Sequence, residues 1–260
     1  MTEARAELLV AHLDPPPVEE IRPSTPSPLL LICEHAGQAI PDRLGALGLS
    51  KDQCGLHIAY DIGAEKVARA LAQSLGSALI MQRYSRLVID CNRPPGSAQS
   101  IPVVSDEITI PGNADLSEGE RREREMSIFE PYAERCQSRI GSSDVRFAFS
   151  IHSFTPEMSG EPRPWDLALL YRSPASQGDR LSTLARAMWP ALHIGCNQPY
   201  QIEDETDWFI PVCAEPRGIP HCLIEIRNDH LLTDAGCLDW ADRLHRLLSA
   251  FVEATDETDP

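Results

Sequence analysis

Two histidines that each follow a short apolar run are candidates for metal ligands. His35 follows residues 29–33, and His152 ends a second run of the same kind. If the two runs are parallel neighbouring strands, both imidazoles emerge at one edge of the sheet, and zinc takes its ligands about 2 Å from a common point. Two histidines and one carboxylate leave a fourth position for an attacking water. We predict one divalent metal ion per chain, with zinc as first choice, held by His35, His152 and Asp61, and with Glu34 as the alternative carboxylate.

Simpler structural roles are open for the same residues. A histidine after a strand is commonly a hydrogen-bonded loop residue, and Asp61 precedes a predicted helix, where a carboxylate serves as an N-cap. The chain has no His-Glu-x-x-His segment, which would place two histidines on one helix face beside a general base. Spacing along the chain does not by itself decide between ligand and loop residue.

Glu225 interrupts an apolar run, 222–226, that we expect to be a strand. An ionised carboxylate inside such a strand is costly unless it is paired or performs a chemical step. A buried glutamate beside a metal takes a proton from the attacking water and later donates it to the leaving amine. We predict this general acid and base role for Glu225; the alternative is a salt bridge to an arginine.

Three arginines, Arg83, Arg86 and Arg93, lie within eleven residues of an otherwise acidic chain. A guanidinium binds a carboxylate through two parallel hydrogen bonds, and near a metal it stabilises the oxyanion of a tetrahedral intermediate. Arg86 and Arg93 flank an apolar run, whereas Arg83 fits a surface ion pair with a glutamate equally well. The cluster predicts a site for an anionic substrate.

These residues need a sheet whose strands end near one another. Apolar runs typical of buried strands lie at 29–33, 78–81, 87–89, 147–151, 167–171, 194–196 and 222–226. Helical spacing is found at 61–75 before Gly76, after a capping box at 117–120, at 179–189, and at 233–252 with Leu238, Ala241, Leu244, Leu248 and Phe251 in register. The alternation predicts an α/β fold with a mostly parallel central sheet and helices on both faces.

The prolines are concentrated near the beginning of the chain. Their density in residues 1–27 disfavours helix and favours an extended surface arm. The remainder, 28–260, has no internal repeat, and α/β domains of this length are commonly built around one core. We expect an arm, 1–27, and a single domain, 28–260. The irregular stretches 153–166 and 197–220 are long enough to be functional loops.

The composition limits the partners and the compartment. A formal net charge of −16 disfavours phosphate backbones and anionic lipid surfaces, and no basic patch compensates it. We expect a small anionic molecule as partner, and neither nucleic acid nor membrane. Eight cysteines occur without a Cys-x-x-Cys pair, and the chain has neither a signal peptide nor an apolar run of membrane length. These features favour a reducing, cytoplasmic location. The oligomeric state stays open.

Five segments together resemble the N-formylglutamate amidohydrolase family, enzymes that release formate and glutamate at the end of one histidine-degradation route. The resemblance extends from about residue 29 to residue 248, and its segments are 34–37, 60–64, 85–94, 151–154 and 224–229. The family is similar to the zinc carboxypeptidase and aspartoacylase clan. The resemblance therefore implies a mixed central sheet between helices, of the phosphorylase/hydrolase-like and zinc carboxypeptidase-like type.

The resemblance also implies catalytic roles. His152 with its following serine matches the later His-Ser pair of the clan, Glu225 matches its catalytic glutamate, and Arg86 matches the arginine that polarises the scissile carbonyl. The chain departs from the clan at the first motif, because the usual His-x-x-Glu would put Gln38 in the ligand position. Glutamine is a poor zinc ligand, which leaves the third ligand between Asp61 and Glu34.

Substrate binding follows from the same comparison. Asn92 and Arg93 match the carboxylate-binding Asn-Arg pair of the clan, and Arg227, in the last of the five segments, is a further substrate-binding candidate. The implied activity is metal-dependent hydrolysis of an N-acyl amino acid, with N-formyl-L-glutamate as the leading substrate.

Three alternatives remain. The same residues would serve a relative that cleaves another N-acyl amino acid or a small amide, since specificity lies in loops. A thiol amidase would use Cys33 or Cys91 as nucleophile with a histidine base. A non-catalytic protein would keep the pocket to bind an amino-acid derivative, although it would have no need of Glu225.

Overall fold

The fold is built on one seven-stranded mixed sheet, seen in a computed structural model that describes residues 7–23, 25–172 and 175–256. Two short hairpins, β4 with β5 and β7 with β8, lie outside this sheet. The strands are β1 (Val18–Ile21), β2 (Leu29–Cys33), β3 (Ala78–Gln82), β4 (Val104–Ser105), β5 (Ile108–Thr109), β6 (Phe147–Phe154), β7 (Glu157–Met158), β8 (Glu161–Pro162), β9 (Leu167–Leu170), β10 (Ile194–Cys196) and β11 (His221–Arg227).

The strand order in the sheet is β1-β3-β2-β6-β11-β9-β10. The four central strands, β3, β2, β6 and β11, are parallel to one another. Near the edges the sheet becomes mixed, because β1 is antiparallel to β3 and β9 is antiparallel to β11. Every residue of β2 is buried, as expected for a strand covered on both faces. The predicted fold class is confirmed.

Two layers cover the sheet. The helices are α1 (Lys51–Cys54), α2 (Ala64–Leu75), α3 (Glu118–Arg124), α4 (Glu130–Ile140), α5 (Ala175–Met188) and α6 (Asp234–Asp256). One face is packed by α2, α5 and α6, through buried residues such as Leu71, Leu181 and Leu244. The other face is packed by α4, through Tyr132 and Cys136, and by irregular segments of the chain. A π-helical turn, Glu125–Phe129, joins α3 to α4, and the predicted capping box forms at Ser117.

Two predictions about individual elements were wrong. Residues 87–89 do not form a strand but a buried turn, with Val88 N donating to Ser85 O at 2.9 Å. Side chains replace the partner strand there, because Asn113 Nδ2 donates to Leu87 O at 2.8 Å and Arg124 Nη1 donates to Val88 O at 2.9 Å. Buried carbonyl groups need such partners when no strand supplies them.

The second error concerns the face of α6. Leu238 is 61% exposed, whereas Cys237, Trp240, Ala241 and Leu244 are buried. The core-facing stripe therefore passes through position 237 in the first turn. A 3.6-residue period leaves that choice open by one position at the end of a helix.

The beginning of the chain is attached to the sheet. Residues 18–21 form β1, whose register pairs Val18 with Gln82 and Ile21 with Leu79. Residues 1–6 and residue 24 of the expected arm lie outside the described part of the chain. None of the helices in the described ranges combines the length and the apolarity that a membrane span requires.

Arg124 allows a test of how the 86–93 segment is held. Its guanidinium is almost fully buried and also donates to Asn113 Oδ1 at 2.7 Å and to Gly112 O at 3.1 Å. Replacing Arg124 with Met leaves these acceptors without their donor, and we expect the free energy of unfolding to fall by about 3 kcal/mol. Urea denaturation measures the loss. Arg122→Met, two residues earlier on an exposed surface, is the control and is expected to change stability little; equal losses would contradict the account.

Candidate active site and metal centre

A cleft of about 780 Å³ lies at the carboxyl ends of the parallel strands β2, β6 and β11. Successive side chains of a strand alternate between faces. Ser150 and His152 of β6 therefore point to the same side, and the register that pairs Glu225 with His152 puts Glu225 beside them. The predicted site residues that line the cleft are His35, Asp61, Arg86, Asn92, Arg93, His152 and Glu225.

The two histidines converge on Asp61. Asp61 Oδ2 lies 2.8 Å from His152 Nδ1 and 3.4 Å from His35 Nδ1, and one ligand atom from each residue falls within 4.8 Å of the others. All three side chains are buried. Two imidazole nitrogens and a carboxylate oxygen are the donor set of a catalytic zinc site. The geometry thus brings together the three residues predicted as ligands, in a group that can hold a metal ion.

The outer nitrogens of both imidazoles are held by carboxylates. His35 Nε2 lies 2.7 Å from Asp90 Oδ1, and His152 Nε2 lies 2.8 Å from Glu34 Oε2. Ser150 Oγ donates to the other oxygen of Glu34 at 2.8 Å. A carboxylate behind each histidine is the usual arrangement at metal sites, since it fixes the ring and its tautomer. Glu34 therefore lies behind His152, and Asp61 is the carboxylate between the rings.

Local backbone contacts bring the ligands into position. Asp61 N donates to His35 O at 3.0 Å, which ties the segment after α1 to the turn after β2. Ser153 N donates to Asp61 Oδ2 at 3.2 Å. The turn after His35 passes so close to the next strand that a Cβ on Gly37 would lie 1.9 Å from the carbonyl carbon of Arg83. Asp61 does not cap α2, because the helix begins at Ala64 without a side-chain cap.

The cluster is electrostatically polarised. Burial alone would raise the pKa of Asp61, but His35 and His152 outweigh it and hold that pKa below its ordinary value. Burial likewise opposes a charge on His152, and Glu34 and Asp61 nevertheless raise its pKa well above the ordinary value. A position that attracts a proton to a buried imidazole is one where a cation is stabilised. The donor set and the surrounding negative charge both fit a divalent metal.

Glu225 differs from the other carboxylates of the site. Its side chain is buried, and Oε2 has no hydrogen-bond partner among the described residues. Burial raises the pKa of Glu225 to about 7. A carboxyl group with this pKa exchanges a proton readily near neutral pH, as a general acid and base must. The alternative of a salt bridge to arginine is not seen in the described part of the chain.

Arg86 lies beside the metal group in the lining of the cleft. It donates to Asp90 Oδ2 through Nε at 3.0 Å and through Nη2 at 2.7 Å, and Nη1 lies 3.4 Å from Asp61 Oδ1. Burial by itself would lower the pKa of the Arg86 guanidinium, but Asp90 and Asp61 outweigh it and raise that pKa. The side chain thus carries a fixed positive charge at the wall of the cleft.

Asn92 and Arg93 lie at another part of the wall. Asn92 Nδ2 donates to Asp207 Oδ1 at 3.1 Å, and its Oδ1 accepts from the backbone of Trp208 at 3.3 Å. Arg93 Nη1 donates to Thr206 O and lies 3.9 Å from Asp207 Oδ1. The long irregular stretch 197–220 thus packs against the Asn-Arg pair and forms part of the cleft.

Other candidates lie away from the cleft. Arg83 pairs with Glu65 at 2.6 Å and is not a lining residue, which agrees with the surface ion pair. Arg227 is also absent from the lining; its guanidinium binds Asp229 at 2.8 Å and lies 3.1 Å from Asp166.

The thiols lack the environment of a nucleophile. Cys33 and Cys91 are buried, and burial raises the pKa of both thiols well above the ordinary value. Neither lines the cleft. A thiolate nucleophile needs an electropositive, accessible environment.

Sequence reasoning missed the role of Asp90. It binds both His35 and Arg86, and its pKa is held well below the ordinary value because the Arg86 guanidinium outweighs the effect of burial. The signal in the sequence was its place four residues after Arg86, but a spacing of four indicates contact only within a helix. Residues 86–88 form a turn and residues 89–90 are irregular, so the contact followed only from the three-dimensional structure.

Comparison with known proteins assigns the chain to a family. Residues 27–232 match the family model of N-formylglutamate amidohydrolase. The chain belongs to this family. The matched range contains every residue of the metal group as well as Arg86 and Glu225. The chain is therefore an amidohydrolase by family, and α6 lies beyond the matched range.

Two solved structures are similar to the chain. Gene product Atu2144 from Agrobacterium tumefaciens is 33% identical, with a TM-score of 0.91 over 96% of this chain and 100% of that one. An N-formylglutamate amidohydrolase from Ralstonia eutropha JMP134 is 17% identical, with a TM-score of 0.64 over 94% of this chain and 99% of that one, which shows the shared fold. No curated protein sequence matches the chain.

The carboxylate behind His152 provides a test of the metal centre. Glu34→Gln removes the charge that orients and polarises this imidazole, and we expect the affinity for zinc to fall about 10- to 100-fold. Competition with a chelator of known affinity measures the change. Asp144→Asn, which alters an ion pair with Arg139 outside the cleft, is the matched control; a Glu34 variant that binds zinc as tightly as the control would contradict the arrangement.

Proposed function

We propose that this family member hydrolyses N-formyl-L-glutamate to formate and L-glutamate with the help of one bound zinc ion. The observation that carries the proposal is the convergence of two imidazoles and one carboxylate within 4.8 Å, in the cleft that also contains the unpartnered carboxylate of Glu225. This combination provides ligands and an acid and base in one place, which a binding protein would not need.

His35, Asp61 and His152 are the residues that would hold the metal. Asp90 and Glu34 keep the outer nitrogens of the imidazoles engaged, so that both Nδ1 atoms face Asp61. When bound, zinc acts as a Lewis acid that polarises the acyl carbonyl and lowers the pKa of water. The two imidazoles would bind the metal as neutral ligands, and the Asp61 carboxylate would contribute one negative charge.

Glu225 is the group that moves the proton. Its carboxylate takes a proton from the water that attacks the formyl carbon and returns it to the amine nitrogen of the departing glutamate. The pKa of about 7, which burial produces, suits both halves of this task. Glu225 lines the cleft, and no hydrogen bond in the described part of the chain competes for Oε2.

The negative charges of the oxyanion and of the substrate carboxylate are stabilised by Arg86, Asn92 and Arg93. Arg86 stabilises the oxyanion that forms when the carbonyl is attacked. Arg93 binds the α-carboxylate, with Asn92 beside it and in contact with the loop that closes this part of the cleft. Local guanidinium groups thus overcome the repulsion between an anionic substrate and a chain of net charge −16.

The wider setting belongs to the same proposal. The catalytic domain spans residues 28–260 and the arm spans residues 1–27, whose described part contributes β1 to the sheet. The protein acts in the cytoplasm on a small anionic metabolite, in histidine degradation, without nucleic acid or membrane partners. The acidity of the chain supports this choice of partners.

A second candidate substrate is a larger N-acyl amino acid. The cleft of about 780 Å³ has the size that accommodates drug-sized ligands and exceeds what formylglutamate fills. The rim contributes apolar surface, since Val103 and Val104 line the cleft and are 41% and 55% exposed. An acyl group longer than formyl would contact this rim while the reacting centre stayed the same.

Replacing Glu225 with Gln tests the assigned chemistry. The variant keeps the size of the side chain but loses the base, and we expect formate release from N-formyl-L-glutamate to fall at least about 10²- to 10⁴-fold while zinc content is unchanged. Formate is measured enzymatically and zinc by atomic absorption on the same preparation. Loss of zinc from the variant, or turnover close to that of the unaltered enzyme, would refute the role of Glu225.

A further inference from the structure

His57 is a polar residue of the cleft for which the reaction has so far given no task. Five basic side chains line the cleft in the described part of the chain. His35 and His152 bind Asp61, Arg86 binds Asp90, and Arg93 contacts Thr206. His57 is the fifth.

The ring of His57 makes an ion-pair contact but no hydrogen bond through Nε2 in the described part of the chain. Its Nε2 is buried and has no hydrogen-bond partner among the described residues. Asp106 Oδ2 lies 3.2 Å from Nε2, but it does not meet the directional requirement of a hydrogen bond. A ring nitrogen whose close acceptor is misaligned gains from a ligand atom with better alignment, and His57 lines the cleft in which such a ligand would lie.

The position of His57 is fixed by the same segment that positions the metal group. It lies four residues before Asp61, and Ala59 between them accepts hydrogen bonds from Arg86 N at 3.1 Å and from Ser85 Oγ at 2.8 Å. Facing it is the turn of the β4–β5 hairpin, where Asp106 and Glu107 have φ of 43° and 62°. The ring therefore lies between a segment that is hydrogen-bonded to residues 85–86 and the tight turn of the hairpin.

A substrate with two carboxylates needs two anchors. Arg93 accounts for the α-carboxylate, and Arg86 is already engaged by Asp90 at the reacting centre. Of the basic residues that line the described cleft, His57 is the one left for a group at the end of the substrate side chain. A single imidazole N–H suits one acceptor oxygen.

We propose that His57 Nε2 donates a hydrogen bond to the acceptor group at the end of the substrate side chain, the γ-carboxylate in formylglutamate. His57 is then the residue that selects acyl amino acids with an acidic or amide side chain over those with an apolar one. A site with a buried donor rejects analogues that lack the acceptor, because the donor is left unpaired. The inference rests on the proposed function and deepens it.

Binding to the Glu225→Gln protein tests the inference without turnover. Calorimetric titration with N-formyl-L-glutamate and with N-formyl-L-norleucine gives two dissociation constants, and their ratio is the selectivity. In this background we expect His57→Phe to reduce the selectivity about 10- to 100-fold, the effect of losing one hydrogen bond to a charged group. His57→Gln places an amide N–H at a similar reach and is expected to restore part of the selectivity.

Two further variants separate a contact with the ligand from damage to the fold. His245→Phe is the matched control, because His245 also has a buried ring nitrogen without a partner but lies on α6, outside the cleft. It is expected to leave the selectivity unchanged. Asp106→Asn removes the carboxylate beside Nε2 and is expected to increase the selectivity for glutamate, since asparagine tolerates the left-handed turn.

These measurements distinguish failure of the role proposed for His57 from failure of the proposed function. A selectivity that is unchanged in His57→Phe, or that changes equally in His245→Phe, overturns the role of His57 even if the unaltered enzyme releases formate. Absence of formate release from every N-formyl amino acid by the unaltered enzyme refutes the proposed function. Equal affinity of the Glu225→Gln protein for both ligands also overturns the role of His57, and it leaves the proposed function standing if the unaltered enzyme releases formate.

Discussion

The structure depends on holding two imidazoles against a buried carboxylate. His35 and His152 are each in contact with acidic side chains on both ring nitrogens, Asp61 on the inner side and Asp90 or Glu34 on the outer side. Burying so many charged groups is expensive unless each is paired. The pairing therefore fixes every ring orientation, and it leaves a concentration of negative charge that suits a divalent cation. Glu225 stands apart from this network, because its Oε2 has no hydrogen-bond partner in the described ranges, and this suits a group that exchanges a proton.

Two kinds of structure meet at this cluster. His152 and Glu225 lie side by side, because the register of the parallel strands β6 and β11 pairs these two residues. The segment that carries Arg86 and Asp90 is an irregular buried turn, and side chains take the place of a neighbouring strand in binding its carbonyl groups. Arg124, at the junction of α3 and the π-helical turn, is part of that support. A residue that does not line the cleft thus helps to set the geometry of the site.

Local patterns predicted the sheet and its helices, whereas the convergence of His35 and His152 was expected on the condition that their strands are parallel neighbours. Apolar runs such as 29–33 identify buried strands, and parallel neighbours bring strand ends to one edge. The strand expected at 87–89 was wrong since a short apolar run fits a buried turn equally well, and only tertiary contacts with Asn113 and Arg124 decide the matter. The contacts of Asp90 and the place of His57 in the cleft were missed for the same reason. Arg227 was named from a motif, and its contacts with Asp166 and Asp229 were not readable from spacing.

The most direct test of the account measures zinc content and formate release from N-formyl-L-glutamate on the same purified enzyme, before chelation, after chelation and after zinc is restored. The account predicts about one zinc ion per chain at a three-ligand site, loss of formate release when the metal is removed, and recovery when it returns. Undiminished formate release from protein shown to contain no metal would contradict the central claim that His35, Asp61 and His152 hold a catalytic ion.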